Sequence, residues 1–431
     1  MQKIINMKKA LVVFLSTFLL FCGLKVKSQV AYDKYFTDNQ LRIDYYLFGN
    51  SDTVSYALDK LLKEPKWGGP RTQLVDEMNY GMYYIEVTPE NSDLVLYSHG
   101  YCLLFGEWQT TDEAKKTNKG FHESVVIPFP KKPVNVTFYS KKNSLEPVKQ
   151  MKIAVNPDDY FIKPAPRLPY AIYNVYGDYP VDKAVDIVLL PDGYTEQEMG
   201  KFVQDCQFFV KSLFSYAPYD RYQDRFNVRA VMVPSQDSDI TMPGDKLYRN
   251  TALSCSFWTF DSERYCMTYD NETMKTLAGQ VPYDQIYILA NTKKYGGGGI
   301  FNSYCVSTTG NSYSSDVIIH EFGHGFAGLA DEYAYDGTDN YNLNVEPWEP
   351  NITTLVDFDS KWKNMLGKKT PVPTPIDKKY EKTVGVYEGA GYQLHGIYRP
   401  MMDCLMNTFN GKKFCPVCES AIERMIKHYT E

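Results

Sequence analysis

The stretch SSDVIIHEFGHGFAGLADEY, residues 314–333, decides how the rest of this 431-residue chain is read. It places His320, Glu321 and His324 in the spacing H-E-x-x-H. On a helix, residues four apart stack on one face about 6 Å apart along the axis, so both imidazoles can reach one Zn²⁺ at about 2 Å. Glu321, rotated about 100° from His320, can address a metal-bound water without being a ligand. The chain has only 6 His, so a chance occurrence is expected in about one such chain in a few hundred. The competing reading is a helix with two partly buried, hydrogen-bonded histidines and a surface glutamate. The apolar Val317, Ile318 and Ile319 ahead of the motif favour a desolvated catalytic helix instead.

Two histidines leave a tetrahedral zinc site short of one protein ligand. Asp331 lies seven residues beyond His324; on a continued helix its carboxylate would share the face but sit about 10 Å further along. The chain must therefore turn back, and Gly325 and Gly328 lie where a helix can stop and reverse. Asp331 is the first choice for the third ligand, with Glu332 behind it; the plain alternative is a solvated helix exit.

Upstream of this helix, VDIVLL (185–190) is a continuous apolar run of the kind buried on both faces. Thr195 and Glu198 form a capping box opening a helix whose Met199, Phe202, Val203, Cys206, Val210 and Leu213 share one face. FNVRAVMV (226–233) follows as a strand, giving a βαβ unit and an at least partly parallel sheet. A further strand, YDQIYILAN (283–291), leads to Gly296–Gly299. No GK[ST] follows these glycines, so they read as a flexible turn rather than a phosphate cradle. Residues 336–395 lack sustained periodicity and read as a long elaborated loop. Residues 30–160 alternate differently, in short runs such as LRIDYYLF (41–48), MYYIEV (82–87), DLVLYS (93–98), VNVTFYS (134–140) and QMKIAV (150–155). These read as an antiparallel β-sandwich. KPAPRLPY (163–170) can continue neither a ladder nor a helix and reads as a linker. The fold class is α+β or α/β: a leader over 1–28, a sandwich over 29–162, the linker, and a second domain over 171–431.

Within residues 1–28, Lys8 and Lys9 precede the apolar run Ala10–Leu24, the layout of a secretory signal and short for a membrane span. Cleavage after Ser28 would leave Gln29 as the N-terminus; an uncleaved anchor, or lipidation at Cys22 after the bulky Phe21, are the alternatives. The whole chain has 46 Lys and Arg against 52 Asp and Glu, a net charge of −6. Five of the bases and none of the acids lie in the leader, so the mature chain carries −11. This argues against nucleic-acid binding, which needs a basic face. With Cys22 removed, the 9 Cys become an even eight, which permits disulfides in an oxidising compartment. Cys255 with Cys266, and Cys404 with Cys415 or Cys418, are candidate pairs. CPVC (415–418) could instead be a redox dithiol or half of a zinc site, weaker readings because only Cys404 is near enough in sequence to help.

HEFGHGFAGLADEY, together with VDIVLLPDGYTEQEM (185–199), NTKKYGGGG (291–299) and CLMNT (404–408), resembles the M64 peptidases, the group named for a bacterial immunoglobulin A metallopeptidase. The resemblance covers about residues 170–431, and the sandwich in front is similar to the N-terminal domain of bacterial relatives. It implies a zincin-type metallopeptidase domain with a mixed twisted sheet above the H-E-x-x-H helix. An edge strand, matched to IFNSYCVSTT (300–309), would hold extended peptide by β-augmentation. Met406 looks like the methionine of a metzincin turn beneath the metal, followed by an amphipathic helix over 418–429; taken alone it would be a core Met. The usual metzincin spacing is not kept: Ala327 and Ala330 occupy the expected Gly and ligand places, with Gly328 and Asp331 one step later.

These readings together imply an exported zinc endopeptidase, periplasmic, cell-surface or secreted from a bacterium, with one catalytic Zn²⁺ and no membrane span in the mature chain. Zinc would polarise the scissile carbonyl and acidify a bound water, and Glu321 would take the water's proton and pass it to the leaving amine. His395 and Tyr398 are candidates for a further oxyanion donor. Two rival functions remain: a surface module acting through its sandwich on glycan or a host protein, and a zinc hydrolase of a non-peptide bond. No G-x-S-x-G elbow supports a serine route. Immunoglobulin cleavage does not transfer with the family name, because cleft loops set substrate choice.

Overall fold

The structure is a computed structural model describing residues 30–141, 146–335 and 341–431. The leader lies outside the described residues. In the N-terminal part, helix α1 (Tyr32–Tyr35) leads into strands β1 (Phe36–Gly49), β2 (Val54–Glu64), β3 (Tyr83–Pro89) and β4 (Tyr97–Tyr101). Helix α2 (Leu104–Trp108) and strands β5 (Lys119–Pro130), β6 (Val134–Lys141), β7 (Pro147–Val155) and β8 (Lys163–Pro164) follow. They form two four-stranded sheets, ordered β5-β1-β2-β8 and β4-β3-β6-β7. Leu41, Ile43, Tyr45 and Leu47 of β1 are fully buried, as are Ile85, Val87, Val136 and Phe138 of the other sheet. Tyr45 meets Phe138 across the gap with ring centroids 5.0 Å apart. Alternation thus does what the pleat requires, and two sheets close over one apolar layer.

One part of that alternation reads differently in three dimensions. Arg42 and Asp44, on the face that would ordinarily meet water, are 1% and 0% exposed. The Arg42 guanidinium grips Asp44 through Nε and Nη2 at 2.8 and 2.9 Å and reaches Thr276 Oγ1 at 3.1 Å. Thr276 belongs to helix α4 (Asn271–Ala278) of the second half, which therefore covers the sheet. Removing one partner of such a buried pair costs about 3–5 kcal/mol. KPAPRLPY is only partly a linker, since Lys163 and Pro164 pair in parallel with Leu62 and Lys63 of β2. A strand end tolerates proline because its missing N–H falls outside the ladder.

The second half begins with β9 (Ile172–Tyr176) and β10 (Val185–Asp192), then helix α3 (Met199–Leu213) and β11 (Phe226–Val231). After α4 come β12 (Gln285–Ala290), β13 (Gly297–Ile300), β14 (Tyr304–Thr308) and helix α5 (Ser314–Ala327). Strands β15 (Ala334–Tyr335), β16 (Tyr387–Ala390) and β17 (Tyr392–Arg399) and helix α6 (Pro416–Thr430) complete it. The main sheet is ordered β13-β14-β12-β10-β11-β9 and is mixed, parallel inside and antiparallel at both edges. All eight residues of β10 are buried, as a central strand covered on both faces requires. The Thr195–Glu198 capping box forms, and Phe202, Cys206, Phe209 and Leu213 of α3 enter the core, each large apolar side chain contributing about 1.5–3 kcal/mol. Residues Ala31–Glu431 make one compact unit. The described residues include no helix long and apolar enough to cross a membrane.

Three sequence expectations change. Gly297–Ile300 is itself the edge strand, whereas the expected 300–309 segment supplies the next strand in. The expected loop over 336–395 ends in an antiparallel hairpin, Tyr387–Arg399, whose period is hidden by Gly389, Gly391 and Gly396 at positive φ. All eight described cysteines are free, so neither candidate disulfide is formed.

Candidate functional site

Helix α5 carries His320, Glu321 and His324 and ends at Gly328, whose φ of +63° reverses the chain. The Gly328 and Leu329 amides close the last turn on the carbonyls of His324 and Gly323. Only glycine adopts this cap without strain; Gly325 stays inside the helix, where a Cβ would collide with Cys305 Sγ. The reversal returns Asp331 to the histidines. Asp331 Oδ1 lies 3.1 Å from His320 Nε2 and 3.4 Å from His324 Nε2, and the two Nε2 atoms are 3.1 Å apart.

Each imidazole is fixed from behind. His320 Nδ1 donates to the Leu405 carbonyl at 3.0 Å and His324 Nδ1 to the Leu329 carbonyl at 2.6 Å. A carbonyl can only accept, so both Nδ1 atoms carry hydrogen and both Nε2 lone pairs point at the shared space. Asp331 Oδ1 is buried there without a hydrogen-bond partner, while Oδ2 accepts from the Tyr392 hydroxyl. Three lone pairs thus converge on one point. For tetrahedral ligands at about 2.0–2.1 Å, donor atoms sit about 3.3 Å apart, so the residues fit a single zinc ion.

Burial opposes charge on all three groups, yet beside one another Asp331 is held far below the usual carboxylate range and His324 is raised to about 9, so the pocket favours positive charge, which a metal ion would supply in place of a proton on His324 Nε2. Glu321 is raised by burial, partly offset by the two histidines. Its helix lies against the edge strand: a Cβ on Gly297 would sit 3.1 Å from Glu321 Cγ, and one on Gly299 would collide with the Glu321 carbonyl. Between them a Cβ on Gly298 would strike the Met267 and Tyr265 side chains, so close neighbours on different sides hold all three positions to glycine. The first residue of this edge, Gly297, is bridged by Tyr265, whose hydroxyl donates to Glu107 of α2. The sandwich therefore reaches the back of the site.

Met406 is fully buried under the helix, 3.0 Å from where a Gly323 Cβ would stand. Glu332 does not join the histidines. Its amide donates to the Met406 carbonyl at 2.8 Å, and its Oε1 meets Asn351 Nδ2 at 3.0 Å and Cys418 Sγ at 3.1 Å. Asp331 and Glu332 therefore belong to separate clusters, and only Asp331 reaches the histidines. His395 has an 85% exposed side chain and faces Glu388 at 3.5 Å, and Tyr398 is tied through its backbone to Thr353. A phenol that does reach the trio is Tyr392, at the start of the same strand. Sequence reading also missed Asn351, whose side chain clamps both the amide and the carbonyl of Ala330 at 2.7 and 2.9 Å. One Asn in an aperiodic stretch, like one Tyr among 36, carries no local signal.

A family model described as IgA Peptidase M64 matches residues 177–383 and 376–426, and one described as Peptidase M64 N-terminus matches residues 31–151. No curated protein matches the chain.

Proposed function

The chain belongs to the M64 family of peptidases, and on that premise we propose that it is an exported, zinc-dependent endopeptidase with Glu321 as its general base. The observation that carries this reading is the convergence of His320 Nε2, His324 Nε2 and Asp331 Oδ1 within 3.1–3.4 Å. These three would hold the ion, and when bound it would polarise the scissile carbonyl and acidify a water molecule.

The protein's own groups do the rest. Glu321 accepts the proton of the attacking water and returns it to the leaving amine, and its burial-raised pKa suits a group that must both take and give. The Leu405 and Leu329 carbonyls hold the imidazoles in the tautomer that presents Nε2. Tyr392 holds the Asp331 carboxylate from its far oxygen. Gly298–Ile300 is the remaining length of edge strand against which extended substrate would lie.

Export rests on the leader layout, and the division of labour on a sandwich over 29–162 packed against a catalytic half over 171–431. Cleavage of a peptide library, with chelator and with zinc restored, tests the activity: loss and recovery of cleavage is expected, and cleavage indifferent to chelator would sink the zinc mechanism. Mass measurement of the secreted protein should find Gln29 as the first residue; an intact Met1 would contradict export by cleavage.

A further inference from the structure

Behind the histidine trio lies a second set of metal-ligating side chains. Cys404, Cys415, Cys418 and Glu332 place one donor atom each so that all four lie within 4.8 Å of one another. Cys404 precedes the turn holding Leu405 and Met406, Cys415 caps α6, Cys418 sits in its first turn, and Glu332 follows the trio's aspartate. We infer that these four residues bind one zinc-class ion, a closed structural site that locks the turn beneath the active-site helix. This goes beyond the peptidase reading, and the site would exist whether or not the trio binds metal.

The distances suit it. Cys404 Sγ and Cys418 Sγ are 3.8 Å apart, the separation that bonds of about 2.3 Å impose on tetrahedral thiolates. Two of the sulfurs accept backbone hydrogen bonds: the Cys415 amide donates to Cys404 Sγ at 3.2 Å and the Cys418 amide to Cys415 Sγ at 3.4 Å, while the Cys418 thiol itself donates to Glu332 Oε1 at 3.1 Å. The amide bonds favour thiolate, as does the N-terminus of α6, where the helix dipole favours negative charge.

A second, independent observation is Glu332. It is 0% exposed, and its Oε2 is buried without a hydrogen-bond partner. A buried carboxylate with one oxygen left unpartnered is costly unless it is neutralised or coordinates a cation. Arg399 is close enough to act on it but commits Nη1 to the carbonyls of Glu388 and Gly389. Rival uses of the thiols fit less well. A disulfide would consume two sulfurs and leave the third thiol and the carboxylate unsatisfied. A redox dithiol needs access to its partner, whereas Cys415 and Cys418 are 2% and 0% exposed. Three thiolates with one carboxylate in a tetrahedral arrangement favour zinc over magnesium or calcium.

The structural consequence runs through two carbonyls. Leu405 orients His320 and Met406 pins the Glu332 amide, and both belong to the turn that Cys404 begins. An ion at the four residues would fix that turn to the first turn of α6.

The test is metal analysis of the full chain and of its His320→Ala/His324→Ala double variant, each folded with zinc. We expect two zinc per chain falling to one, and zinc K-edge absorption of the double variant showing three sulfur neighbours near 2.3 Å. No zinc in that variant, or a shell of nitrogen and oxygen only, would overturn the inference while leaving the peptidase reading to be judged by activity. Thiol titration after denaturation with chelator gives a readout that needs no cysteine variant. Free Cys404, Cys415 and Cys418 are expected in peptide mapping, and a disulfide between any two overturns the site. Conversely, sulfur-bound zinc in a protein without chelator-sensitive cleavage would keep this inference and remove the catalytic one.

Discussion

Asp331 and Glu332 are consecutive, yet their carboxylates serve clusters of opposite character. The trio that Asp331 joins has three protein donors, and its histidine side chains remain 11% and 16% exposed. The set that Glu332 joins has four, none more than 2% exposed. Three donors with an approach from solvent leave a position for an exchangeable ligand; four donors without one leave none. Access from solvent therefore separates the two clusters as much as ligand type does. The two sites share the turn Cys404–Met406, so the closed one is placed to hold the open one still.

The sharpest way to break this assignment is at Glu321. Glu321→Ala should lower turnover by about 10²–10⁴-fold, with folding and zinc content unchanged; an undiminished biological effect would favour a binding module over an enzyme. Asp331→Ala should lose zinc from the open site and with it the activity, while sulfur-bound zinc and the fold persist. Full zinc content in that variant would mean that Asp331 is no ligand. Graded chelation should separate the two sites in the same order: activity falls first with little change in melting temperature, and melting temperature falls only when the closed site empties, since a bound ion stabilises the folded chain.

What could be read from sequence follows the same divide. The spacing of His320 and His324 is local, and Gly325 and Gly328 mark where the helix can stop and reverse, so the approach of Asp331 to the two histidines is legible in the sequence. Glu332 reads in sequence as a substitute for Asp331, because nothing nearby shows which way each carboxylate points; its cysteine partners lie 72–86 residues downstream. CPVC with Cys404 looked one ligand short for the same reason. The edge strand reads as a turn in sequence because glycine has no side-chain pattern; the helix against Gly299 and the Tyr265 and Met267 side chains against Gly298 explain the composition. Arg42 and Asp44 stand at polar places of an alternating run and are buried only because the helix covering them comes more than 200 residues later. Local periodicity found the elements, and long-range packing decided their faces.

Gly299 and Tyr392 test how finely the open site is held. Gly299→Ala places a methyl against the Glu321 carbonyl, which neither backbone can vacate freely, and should destabilise by about 1–3 kcal/mol, with activity falling further than stability. An unperturbed melt would show the edge strand to be mobile against the helix. Tyr392→Phe removes the hydrogen bond to Asp331 Oδ2 and should weaken zinc at the trio about 10–100-fold, leaving the sulfur-bound ion untouched. Equal weakening of both ions would show that the sites are not separable.

The smallest effect concerns the far end of α6, whose first turn the closed site anchors. His428 near its C-terminus and His99 of β4 line one cleft between sandwich and catalytic half. Burial, with His428 adding its charge in the case of His99, lowers His99 to about 3 and His428 to about 4 from 6.5. Both are therefore neutral in the fold at pH values where the unfolded chain has protonated them. Below pH 6.5 the unfolded state binds more protons, so stability is fully present above that value and is lost as pH falls toward 4 and then 3. Each histidine contributes at most about 1.4 kcal/mol per pH unit to that slope. His428→Gln should flatten the loss between pH 6.5 and 4 relative to the parent, measured as the difference in melting temperature across that range. The closed site should keep its zinc at pH 6 in both proteins. An unchanged slope would place His428 in water rather than against the sandwich, and the helix would then be held at its metal-bound end alone.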